Sequence, residues 1–132
     1  MKLFCGSVVV FMLLFAFSAA CTADARMKES AYQGAWCAAH GGEAEVVLPD
    51  RTRVDCVTGD YAVEVDFASK WAEAIGQALY YAMRTGRKPG ILLIMESERD
   101  ARFLERLMAI ADSLGIEVWT ITPEDMSGTE RN

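Results

Sequence analysis

The chain has 132 residues, room for one domain, and its 52% apolar and 24% charged content describes a folded globule rather than a disordered tail. Its 13 basic and 19 acidic side chains give a net charge of −6; setting aside Lys2, the only charge in the first twenty residues, leaves 12 basic groups against 19 acidic ones. A two-domain machine is excluded, and so is a general attraction for nucleic acid, because neutralising phosphates takes a surplus of Lys and Arg.

Lys2 precedes an apolar stretch from Val8 to Phe17, and Ser18-Ala19-Ala20 then leads into Cys21. A basic start, an apolar middle and small residues at the end are the layout of a bacterial export signal. A membrane anchor is the competing reading, since Leu3 to Ala20 approaches the roughly 18 to 20 residues of a spanning helix. Cys21 after Ser-Ala-Ala resembles a bacterial lipobox, which implies lipidation of Cys21 and membrane attachment through the lipid. Ser18 stands where lipoboxes usually carry Leu, so ordinary signal cleavage stays open beside it. Either reading places the chain outside the cytoplasm, in the periplasm or lipid-anchored to the envelope. The expected organisation is residues 1–20 signal, 21–27 linker, 28–122 domain and 123–132 flexible tail.

Cys5 falls in the signal and Cys21 at its end, leaving Cys37 and Cys56 as the pair in the exported domain. An oxidising compartment makes them a disulfide candidate; two buried thiols are the other reading. Metal ligation does not fit, because the spacing is wrong and His40 is the single histidine.

The predicted elements follow in order. Met27 to Ala39 reads as a helix with Tyr32 and Trp36 on one face, stopped by His40-Gly41-Gly42, where His40 serves as a helix-end residue. Glu43 to Leu48, Thr52 to Val57 and Tyr61 to Phe67 read as strands joined by the short turns Pro49-Asp50 and Thr58-Gly59-Asp60, hence antiparallel hairpins. Ala68 to Arg84 is an amphipathic helix with Trp71, Ile75, Ala78, Leu79 and Ala82 as its apolar stripe. Ile91 to Met95 is an apolar run suited to the middle of a sheet, Glu98 to Leu114 a helix with Phe103, Leu104, Leu107, Ile110 and Ala111 inward, and Ile116 to Ile121 the last strand. From Pro123 a loose tail is expected. This order predicts an α/β sandwich with a mixed sheet.

Period-two alternation puts Ala62, Glu64 and Asp66 on one face of the third strand and Val63, Val65 and Phe67 on the other. Glu64 and Asp66, with Asp55 on the strand before, then make a carboxylate group that is tolerable only with a cation, an arginine or a raised pKa among them. On the next helix Lys70, Gln77 and Tyr81 fall within roughly 40° of one another. The arginines Arg51, Arg53, Arg84 and Arg87, with Lys88, read as solvated turn and helix-end charges. No glycine-rich phosphate loop is present, and no serine or cysteine has a neighbouring histidine.

The helix-strand-strand-strand-helix-strand order, with Asp55 and Glu64 on the second and third strands and Gln77-Ala78-Leu79-Tyr80-Tyr81 on the following helix, resembles the PD-(D/E)xK nuclease superfamily. The branch it looks most like is the RecB-like one, with its Gln-x-x-x-Tyr motif; the likeness spans about Glu29 to Met95. It implies a restriction-endonuclease-like αβββαβ core with an additional C-terminal helix and strand, and a Mg²⁺-dependent nuclease with Asp55 and Glu64 as metal ligands. It further implies Gln77 and Tyr81 at the site or substrate groove, and Glu29 as an extra acid. The family's lysine, two residues after the second acid, is replaced by Asp66, and Lys70 is the candidate substitute. Two functions stay open: a phosphodiesterase acting on nucleic acid, and a catalytically inactive envelope protein that binds a protein partner with the same surface.

Overall fold

A computed structural model describes residues 26–128. Residues 1–20, read from the sequence as an export signal, and Cys21 with its lipobox-like approach lie outside the described residues, as does Cys5. Helix α1 (Glu29–Ala39) is followed by strands β1 (Glu43–Val47), β2 (Arg53–Val57) and β3 (Tyr61–Phe67). A 3-10 turn (Ala68–Lys70) then leads into α2 (Trp71–Thr85), followed by β4 (Lys88–Ile94), α3 (Ala101–Leu114), β5 (Glu117–Ile121) and α4 (Pro123–Gly128). The five strands form one sheet in the order β1-β2-β3-β4-β5. β1, β2 and β3 are antiparallel neighbours, whereas β3, β4 and β5 run parallel, so the sheet is mixed as the element order predicts.

The apolar pattern of β4 decides the layering. Leu92 and Ile94 pack with Val63, Val65, Tyr32 and Trp36 under α1, while Ile91 and Leu93 pack with Ala74, Ala78, Leu107 and Ala111 under α2 and α3. Successive strand side chains point to opposite faces, so a run buried throughout needs cover on both sides. Helices therefore sandwich the sheet. Gly86 and Gly115 end α2 and α3 with φ of +67° and +64°, left-handed values that glycine adopts without a Cβ clash.

Several expectations shift. Ala68–Lys70 is a separate 3-10 turn, so α2 starts at Trp71. β4 begins at Lys88, before the apolar run, because Pro89 near a strand start need not interrupt the pairing. Ile110 is 37% exposed, leaving Leu107 and Ala111 as the buried face of α3. Pro123–Gly128, expected as a loose tail, is a short helix with Met126 against the α1-side core. Its first turn is held by the Asp125 carboxylate, which accepts the Thr122 N–H at 2.8 Å. His40 caps α1 as expected: its ring stacks on Trp36 with centroids 3.8 Å apart. Cys37 and Cys56 form a disulfide that ties α1 to β2.

Candidate active site

The cleft opens where β2 and β3 part. Their ladder joins Cys56 to Val63 and Val57 to Ala62. Continued by one step, the register would bring Asp55 opposite Glu64, and by another would pair Val54 with Val65. Thr58 N–H donates to the Tyr61 carbonyl at 2.9 Å. Hydrogen-bonded pairs alternate in an antiparallel ladder, so the Val65 N–H would next belong to the Val54 carbonyl. It donates instead to Asp55 Oδ2, at 2.8 Å. A side chain has taken the place of a strand carbonyl, and the strands separate around it.

On its other side Asp55 faces a second interruption. β1 pairs with β2 at Ala44 with Cys56 and at Val46 with Val54, skipping Glu45 and Asp55 between them. Glu45 has φ of +60°. Alternation also fails here: Cys56 lies in the α1-side core, whereas Val54, two residues away, packs with Ala62 and Tyr81 on the α2 side.

β3 keeps its predicted parity. Val63 and Val65 face α1, and Glu64 and Asp66 line the cleft beneath α2, but at 5% and 4% exposure they are buried rather than set on a solvated strand face. The cavity holds about 360 Å³ and is lined by Glu29, Arg53, Asp55, Glu64, Asp66, Lys70, Glu73, Gln77 and Tyr81. All seven candidate residues picked out from the sequence thus meet at one place. Lys70 Nζ stands 3.6 Å from Asp66 Oδ1, which also accepts the Phe67 N–H at 2.9 Å. Glu29, from the start of α1, joins the acid cluster beside Asp66, and Gln77 and Tyr81 line the cavity from α2.

Crowded acids in a buried cleft favour their protonated forms. Burial first, then the neighbouring Asp55 and Asp66, pushes the Glu64 carboxyl up to about 9. Burial likewise raises Asp55 to about 6, against the pull of the Val65 N–H, and raises Glu29 to about 7. Asp66 is also raised by burial, with Lys70 opposing. The two carboxyls of Asp55 and Glu64 crowd each other in the cleft, so the pair favours holding a proton. Glu64 Oε2 is buried with no hydrogen-bond partner. An orphaned carboxylate oxygen beside a second carboxylate is a donor set for a hard divalent cation, and Mg²⁺ is commonly held by one or two carboxylates with water completing its shell. Among the described residues no group of three or more His, Cys, Asp or Glu side chains is arranged to hold a metal ion.

Sequence reading missed Gln33 and Glu45 and assigned Arg53 to plain solvation. Arg53 Nε donates to Glu45 Oε2 at 2.7 Å on the rim of the cavity. Gln33 is buried between α1 and β2. A signal was present: Glu29, Gln33 and Cys37 are spaced by four, so a disulfide that turns Cys37 toward β2 turns the other two the same way.

Fold and cleft together define a mixed α/β protein with an acid-lined cavity where antiparallel pairing gives way to parallel. No protein-family model, curated protein or solved structure matches this chain. Among the described residues, no helix is long and apolar enough to cross a membrane.

Proposed function

We propose that this chain is an exported, nuclease-fold phosphodiesterase with a restriction-endonuclease-like core, whose cleft binds Mg²⁺ through Asp55 and Glu64. The observation that carries the reading is the meeting of these two carboxylates, from adjacent strands, around a buried oxygen without a partner. A bound divalent cation supplies Lewis acidity, lowering the pKa of an attacking water and offsetting phosphate charge. The chain's own residues supply the rest. Asp55 is fixed by the Val65 N–H, so its carboxylate keeps one orientation. Lys70 offers an ammonium in place of the family's lysine, positioned by Asp66. Arg53 on the rim is held by Glu45, and Gln77 with Tyr81 walls the α2 side. The membrane is a partner if Cys21 is lipidated, and the substrate class is nucleic acid.

A second reading is a catalytically inactive envelope protein that uses this surface to bind a protein partner. The ion pair of Lys70 with Asp66 favours it, since an ammonium already neutralised by a carboxylate is less available to a phosphate.

Calorimetric titration of the oxidised protein with Mg²⁺ and Mn²⁺, wild type beside Glu64→Gln, tests the first reading. Binding by wild type that disappears in Glu64→Gln, together with hydrolysis of DNA or RNA lost in Asp55→Asn, supports it. A wild type that binds neither ion removes it. Binding without hydrolysis of any nucleic acid leaves the partner-binding reading.

A further inference from the structure

Asp55 sits at the one place where β2 is unpaired on both sides, and something other than a ladder must hold it. Its backbone carbonyl accepts a hydrogen bond from Gln33 Nε2 at 2.9 Å, and the same amide donates to Glu45 Oε1 at 2.6 Å. Gln33 is 4% exposed, so both bonds are formed away from bulk water. Glu45, opposite Asp55, adopts a left-handed backbone that is unfavourable for a residue with a Cβ and persists only when its surroundings hold it. Its carboxylate is bound at both oxygens, by Gln33 and by Arg53. One turn further along α1, Cys37 is joined to Cys56, the residue after Asp55.

We infer that Gln33 is a positioning residue for the site: by holding the Asp55 carbonyl and the Glu45 carboxylate together, it keeps β2 parted from β3 so that the Asp55 side chain faces Glu64. The inference rests on the proposed cation site for its functional consequence, though not for its geometry. Gln33 does not line the cavity. It acts through the strand backbone, as residues behind metal ligands commonly do, and removing such a support typically weakens metal affinity about 10- to 100-fold.

The Val65 amide reports the position of Asp55 directly, because its N–H donates to Asp55 Oδ2. NMR spectra of wild type, Gln33→Met and Gln33→Lys at one fixed pH therefore test the idea. Methionine matches glutamine in length without a donor, whereas lysine keeps a donor for both oxygens. The expected result is a displaced, faster-exchanging Val65 amide and at least about tenfold weaker Mg²⁺ binding in Gln33→Met, with both largely restored in Gln33→Lys. An unchanged Val65 amide in Gln33→Met overturns the inference. Equal loss in both variants also overturns it, since that is the result of damaged packing. Where Gln33→Met does not fold, Gln33→Lys decides alone: it must keep the wild-type Val65 amide. If wild type binds no Mg²⁺, the cation reading fails by itself, and the Val65 amide still decides whether Gln33 sets Asp55.

Discussion

Asp55 and Glu64 face each other across two strands that have stopped pairing, and burial with like-charge crowding favours a proton on the pair. The proton has a measurable consequence. Glu64 is raised from 4.5 to about 9, Glu29 from 4.5 to about 7 and Asp55 from 3.8 to about 6. Between the lower and upper values the folded chain binds protons that the unfolded chain has released, so stability is greatest at the acidic end and falls as pH rises. Thermal unfolding should give a Tm that decreases from about pH 5 to about pH 9, with the slope above about pH 7 belonging mainly to Glu64. Glu64→Gln should flatten that upper part. A wild-type Tm that rises over the same range contradicts the buried proton.

Lys70 is exposed at its amine while Asp66 is buried, which separates its electrostatic role from its structural one. In Lys70→Met the stability should fall by more than the roughly 1 kcal/mol of a fully exposed pair, because a buried Asp66 loses its ammonium. Mg²⁺ should bind about fivefold more tightly, the equivalent of about 1 kcal/mol, because a competing positive charge has gone. Nucleic-acid hydrolysis should be lost. Urea denaturation, calorimetry and a cleavage assay on one preparation check all three, and weaker Mg²⁺ binding would place the amine away from the cation.

The disulfide spans 19 residues and joins the helix carrying Gln33 to the strand carrying Asp55. Replacing both cysteines by serine should lower the unfolding free energy by about 3 kcal/mol on the chain-entropy account. Urea denaturation of the double variant beside the oxidised wild type measures it. A difference below about 1 kcal/mol would mean that the unfolded chain is already constrained near these positions.

Two glycines in or near α1 should respond in opposite directions to alanine. A Cβ on Gly42 would lie 2.5 Å from Cys56 Sγ and 2.8 Å from Cys37 Sγ, against a bond that cannot swing away. Gly42→Ala should destabilise by about 1 to 3 kcal/mol through overpacking. A Cβ on Gly34, inside α1, meets nothing within 4 Å. Gly34→Ala should stabilise by about 0.5 to 1 kcal/mol, since alanine loses less backbone entropy in a helix. Thermal melts of the two variants compare them directly.

Element types and order were legible in the sequence because they depend on local periodicity: Leu92 and Ile94 alternate with Ile91 and Leu93, and Leu107 with Ala111 marks a helix face whatever else the chain does. The same periodicity placed Glu64 with Asp66 and lined up Lys70, Gln77 and Tyr81. Period alone could not show that β2 leaves β3 at Asp55, that Glu45 turns left-handed opposite it, or that Gln33 reaches in from α1 to hold both. Those features depend on hydrogen bonds between residues 10 to 22 positions apart. Such bonds exist only where packing brings α1, β1, β2 and β3 together, so tertiary packing, not local pattern, decided where the carboxylates meet.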